Sequence, residues 1–217
     1  KKNNIEYTIF LHTYVVNTPY SNPRNKEYNL SLDNTEYQLL EAQYCQREDQ
    51  DAVKIALNLS AYHSQPDPWN TKHNMVNNFV LAMYSKKQVA QLIRTSGISF
   101  DYVLFLRPDV QFLTDFDPAW FNLTTPTQIC VPDFHCFSFQ FNDRFAIATQ
   151  TNAYKMTQTF DQMLEYSKQK PLHSETFHYD MTTAVLGLTI AYIPFYFNRI
   201  RANGLISNDA PSAEQQA

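Results

Sequence analysis

Short apolar runs separated by stretches with helical spacing set the rhythm of this chain. Residues 7–16 (YTIFLHTYVV) are β-branched and aromatic, and predict a first strand with His12, Thr13 and Tyr14 at its carboxyl end. The clearest signal lies at 100–106. There Val103, Leu104, Phe105 and Leu106 form an unbroken apolar run flanked by aromatics, as expected of a strand buried on both faces of a central sheet. Pro108 has no N–H to give a ladder, so this strand ends in Arg107-Pro108-Asp109. Apolar runs at 129–132, 145–148 and 188–194 predict further strands.

Helical spacing fills the intervals. The best helix spans residues 73–94, with Met75, Phe79, Ala82 and Met83 on one face and Gly97 just past its end. Further helices are expected over 34–44, 52–57, 152–168 and 175–186, the last ending at Gly187. Residues 17–34 and 64–71 read as loops, and residues 115–120 as a turn into a short helix. Strands alternating with helices imply an α/β fold whose mostly parallel central sheet is covered by helices on both faces. No repeat or internal boundary shows. Residues 1–209 read as a single domain and 210–217 as a disordered tail or linker.

Composition narrows the function classes. The chain has 217 residues and a net charge of −4, without the basic footprint of a nucleic-acid binder. The most apolar stretch, 184–197, is too short to span a bilayer and contains Pro194. No signal-peptide pattern is present. Cys45, Cys130 and Cys136 are odd in number and lack metal-site spacing, so they read as reduced thiols of a cytoplasmic compartment. The chain opens on Lys1, as expected of a domain fused to others in a longer protein. Gly97, Gly187 and Gly204 are the only glycines. Dinucleotide fingerprints and P-loops need glycine clusters, so a nucleotide diphosphate here calls for a metal ion and side chains.

The candidate chemistry gathers at predicted strand ends, the edge where open α/β sheets bind ligands. Asp109 is the best-placed carboxylate for Mn²⁺ or Mg²⁺, and Arg107 adds a fixed cation for the same phosphates. A turn cap is the plainer role for Asp109. Asp209, His178 and Asp180 are candidates to complete a metal shell, though His178 and Asp180 also read as helix surface. Asp133, Asp143 and Glu175 compete for acceptor binding or general-base work, and Asp143 reads equally as an ion pair with Arg144. Asn74, Asn77 and Asn78 sit at a helix amino terminus, which favours an anion. Tyr14, Trp69 and Phe137 offer stacking faces for a base or sugar, although single aromatics are commonly core. Residues 48–51 (EDQD) read as a helix cap.

The strings FLHTYVVNTPYSNPRN, EDQD, YHSQPDPWNT, NMVNNFVLAMYSK, FDYVLFLRPDV, FNDRFAIAT and FNRIRANG occur in this order from about residue 7 to about residue 209. Together they resemble the compact GT-A-type glycosyltransferase domain of large algal-virus multidomain glycosyltransferases. The resemblance implies a nucleotide-sugar donor, usually linked to uridine diphosphate, a glycan or glycoside acceptor and a Mn²⁺ or Mg²⁺ ion. For a viral source it implies the host cytoplasm. It places the nucleobase against His12 to Tyr14 and the donor against Asn74 and Asn78. The family's Asp-x-Asp metal motif is replaced by Arg107-Pro108-Asp109, which keeps only the second acidic position. A non-catalytic carbohydrate-binding module on a transferase-like fold is the alternative. A metal-dependent nuclease lacks its second acidic motif.

Overall fold

The structure is a computed structural model that describes residues 5–22, 25–136 and 141–211. Phe137 and the tail beyond Pro211 lie outside the described residues. In chain order the strands and helices are β1 (Phe10–Val15), β2 (Tyr20–Asn22), β3 (Glu27–Leu30), β4 (Tyr44–Asp49), α1 (Gln50–Leu57) and α2 (Asn74–Ser96). They continue with β5 (Tyr102–Phe105), β6 (Val110–Phe112), β7 (Gln128–Pro132), β8 (Ala146–Thr149), α3 (Gln150–Gln158), α4 (Met163–Gln169), α5 (Ser174–Asp180), β9 (Thr189–Ile193) and β10 (Phe197–Arg199). The chain is thus mixed α/β. It divides into two compact units, one from residues 1–98 and 157–172, the other from 99–156 and 173–217.

In the first unit, β1 and β4 pair in parallel, with the Phe10 and Tyr44 rings stacked at 4.7 Å. Helix α2 packs against β1 and buries Val76, Phe79, Val80, Leu81, Met83, Ala90 and Ile93, most of them at three-, four- and seven-residue steps. The buried face is rotated from the expected one: Ala82 is exposed, and Val76 and Val80 lie inside. Gly97 closes α2 at φ 70°, its N–H donating to the Arg94 carbonyl, a left-handed position that suits glycine. The helix expected over 34–44 is a short 3-10 turn (Glu36–Leu40) leading into β4. β4 (YCQRED) is hard to see as a strand because its inward residues are Gln46 and Glu48, which hydrogen-bond rather than bury carbon. The loop expected over 17–34 holds the β2–β3 hairpin.

Helix α1 starts where β4 ends, because the Asp49 carboxylate accepts from Ala52 N at 2.8 Å. Within the acidic cluster Asp49 is the helix cap, while Glu48 turns to His12 and Asp51 pairs with Lys54. Asp49→Ala is expected to cost about 1 kcal/mol, read as a lower urea midpoint.

The second unit holds a four-stranded sheet in the order β5-β8-β7-β9, with only β7 and β9 parallel. The expected mostly parallel central sheet is not formed; the sheets are small and mixed. The reason lies in the connections. Parallel neighbours need a crossover, usually a helix, but no helix is found over 133–145 among the described residues, so β8 runs back antiparallel to β7. The 100–106 run also lands at an edge rather than the centre. In β5 only Val103 is buried, and Leu106 just beyond is 55% exposed. The centre belongs to β8 and β7, where Ile147, Ile129, Cys130 and Val131 are fully buried. Trp120, Phe134, Phe145, Ile193, Phe195 and Phe197 complete that core. A separate ribbon pairs β6 with β10, placing Val110 opposite Arg199.

Candidate functional site

The strand register brings several sequence candidates to one end of the second unit's sheet. Phe105, the last residue of β5, lies opposite Ala146, the first of β8, and Pro132 at the end of β7 lies opposite Ile193 at the end of β9. Arg107 and Asp109 follow β5, Asp133 and His135 follow β7, and Asp143 and Arg144 precede β8. The β6–β10 ribbon adds Arg199, and Ile200 N donates to the Asp109 carbonyl at 2.8 Å. Buried Asn142 fixes the approach to β8: its Nδ2 donates to Phe134 O at 2.8 Å and its Oδ1 accepts from Arg144 N at 3.0 Å.

Three arginine–carboxylate pairs result, and they differ. Arg107 grips Asp109 in a fork, Nε to Oδ1 at 2.8 Å and Nη2 to Oδ2 at 2.5 Å, with both side chains more than two-fifths exposed. Arg199 grips Asp209 in a second fork at 2.7 and 2.6 Å, with Asp209 only 6% exposed. Asp209 also accepts from Ser207 Oγ and Arg199 N, and lies 3.6 Å from His135 Nε2. Burial opposes its charge, but these donors hold its carboxyl well below the usual range. The third pair is loose: Arg144 Nε stands 3.9 Å from Asp143 Oδ1. Arg144 is 11% exposed, and its Nη1 is buried without a hydrogen-bond partner among the described residues.

Glu175, in the first turn of α5, senses the same group. Burial, reinforced by the negative charge of Asp143 and opposed by Arg144 and Arg199, pushes its carboxyl up to about 7. A group poised there can take or give a proton at neutral pH. Burial likewise raises Asp133, which accepts from the Tyr196 hydroxyl at 3.3 Å.

The expected Mn²⁺ or Mg²⁺ does not fit this donor set. Asp109 and Asp209, its proposed ligands, each hold a guanidinium in a two-bond fork, and Asp209 Oδ2 accepts two further bonds, from Arg199 N and Ser207 Oγ. Among the described residues, no three His, Cys, Asp or Glu side chains group to hold a metal. His178 is buried and stacked on Phe141 at 5.1 Å, a core residue rather than a ligand on a surface. Asp180 is half-buried on α5.

The remaining candidates belong to the first unit. His12 is buried, with Nδ1 2.9 Å from Ser85 Oγ and Nε2 2.7 Å from Glu48 Oε2, so both ring nitrogens are committed within the chain. Tyr14 donates its hydroxyl to Leu81 O at 2.8 Å, which leaves its ring as part of the β1–α2 packing. Thr13 is half-buried in β1, opposite Arg47. Asn74 and Asn78 are exposed on α2, and Asn77 Oδ1 accepts from His63 Nε2 at 2.7 Å. The anion at this helix terminus is the protein's own Asp67, which accepts from the N–H groups of Trp69, Thr71 and His73. Trp69 thereby belongs to a tight turn. Cys45, Cys130 and Cys136 are free thiols.

Sequence reasoning passed over Arg199, His135 and Ser207. The signal was present in the FNRIRANG string, where an arginine follows a strand and an acidic residue lies ten positions on, but pairing at that separation needs the β6–β10 ribbon. Comparisons of this chain with protein-family models, curated proteins and solved structures find no match.

Proposed function

We propose that this protein is a glycosyltransferase that moves a sugar from a nucleoside diphosphate, uridine diphosphate first among them, to a hydroxyl of a glycan or glycoside. The observation that carries the reading is the placement of Glu175, with its carboxyl near 7, among Arg144, Arg199 and Asp143. Sugar transfer needs a base for the acceptor hydroxyl and positive charge for the departing diphosphate. In the proposed step Glu175 takes the acceptor proton, the acceptor oxygen bonds the sugar's anomeric carbon, and the bond from that carbon to the diphosphate oxygen breaks with its electron pair staying on the diphosphate. The guanidiniums of the cluster stabilise the charge that develops there. The mixed α/β architecture, the scarcity of glycine and the resemblance to GT-A-type domains support the same reading.

The test is release of nucleoside diphosphate from a panel of UDP-, GDP- and TDP-sugars with a mixed glycan acceptor, run with Mn²⁺ and with EDTA. At least one donor is expected to turn over only when acceptor is present. Glycan binding without turnover of any donor would replace the transferase with a carbohydrate-binding module.

A further inference from the structure

We propose that Arg144, assisted by Arg107 and Arg199, forms a binding site for a diphosphate that works without a divalent cation. This deepens the transferase reading and rests on it only for the identity of the natural ligand.

Arg144 carries the argument. Its side chain is almost wholly removed from water, its nearest carboxylate contact is long at 3.9 Å, and Nη1 has no acceptor among the described residues. A buried charged donor without an acceptor is costly. An anionic oxygen beside Nη1 would remove that cost. Burial and the positive charges of Arg199 and Arg107, opposed by the negative charges of Asp143 and Asp209, push the Arg144 guanidinium down, the direction an incoming anion would reverse. Arg107 contributes from the rim. Its fork with Asp109 uses Nε and Nη2 and is more than two-fifths exposed, so a phosphate oxygen taken by Nη1 would leave the fork in place. Arg199 is locked to Asp209 and acts through its field rather than by changing partner.

The ligand class follows from the donors. Guanidiniums bind phosphate oxygens in planar forks, and a diphosphate spans more than one of them where a carboxylate does not. The two acidic side chains expected to hold a metal are already neutralised by arginine, so the positive charge a cation would bring is supplied by the chain itself.

Isothermal titration calorimetry with inorganic phosphate, inorganic pyrophosphate and UDP, each in EDTA and in Mn²⁺, tests the site. Pyrophosphate and UDP are expected to bind in EDTA with a Kd within about twofold of that in Mn²⁺, and more tightly than phosphate. Arg144→Gln is expected to weaken both about 10- to 100-fold, the effect of losing a hydrogen bond to a charged group, and the exposed Arg107→Gln to weaken them less. Binding that appears only with Mn²⁺, or no binding under either condition, overturns the proposal. If Arg144→Gln fails to fold by circular dichroism, the wild-type comparison in EDTA and Arg107→Gln decide it. Diphosphate binding in EDTA without turnover of any nucleotide sugar leaves this site standing and removes the transferase; turnover that is abolished by EDTA does the reverse.

Discussion

Replacing Glu175 by glutamine is expected to lower sugar transfer by about 10²- to 10⁴-fold, the span of a positioned general base, while the chain stays folded and still binds diphosphate. Glutamine keeps the shape and cannot take a proton. The wild-type rate is expected to rise with pH through a limb near 7, where Glu175 loses its proton, and this limb should vanish in the variant. The stability of the protein carries the opposite sign. A carboxyl that titrates near 7 when folded and near its ordinary 4.5 when unfolded keeps its proton in the folded state across that window. Stability from this group is complete below about 4.5 and is lost as pH rises toward 7. Urea denaturation of wild type and Glu175→Gln across pH 4 to 8 should show wild type losing ground to the variant over that interval. An unchanged transfer rate, or parallel stability profiles, would place Glu175 outside the chemistry.

The chain announced its helices and strand positions better than its strand pairings. Gly97 marked the end of α2 and Asp49 the start of α1, because each effect is local: a left-handed cap and a side-chain acceptor; β5 stops at Phe105, three residues short of the Pro108 expected to end it. Strand direction and sheet order are not local. The 102–105 run looks central by its apolar residues, yet it forms an edge, because β8 returns antiparallel beside β7 and takes the central place between β7 and β5. β4 was hidden for the reverse reason, since its inward face holds Gln46 and Glu48.

The site was legible to the same extent. Arg107, Asp109, Asp133 and Asp143 meet at one sheet end because strand ends do so in most arrangements of alternating strands. Their partners were not legible. Nothing in the spacing says that Asp109 is spent on the arginine two residues before it, or that Asp209 belongs to Arg199. His12 shows the limit in the other unit: a polar residue at a strand's end reads as a ligand until its two nitrogens are found on Ser85 and Glu48.

Asp209 is expected to be the most costly of the site residues to remove. Asp209→Ala leaves the Arg199 guanidinium, 21% exposed, without its fork, and leaves Ser207 Oγ only the longer bond to Arg199 O at 3.1 Å. Breaking one side of a buried pair costs about 3–5 kcal/mol, a fall in Tm on the order of 10 °C for a chain of this size. The cost should come from the stranded charge more than from any net attraction. Replacing both partners, Arg199→Met with Asp209→Leu, is therefore expected to recover most of the stability lost by either change alone, and a double-mutant cycle in urea measures the coupling. Acid should erase the difference. The Asp209 carboxyl is held below its ordinary 3.8, so its contribution is present above that value and is lost as pH falls through the folded pKa. If the double variant were no better than Asp209→Ala, the pair would matter for how Ser207 and Asn198 tie the end of the chain to β10, and the charge itself would be incidental.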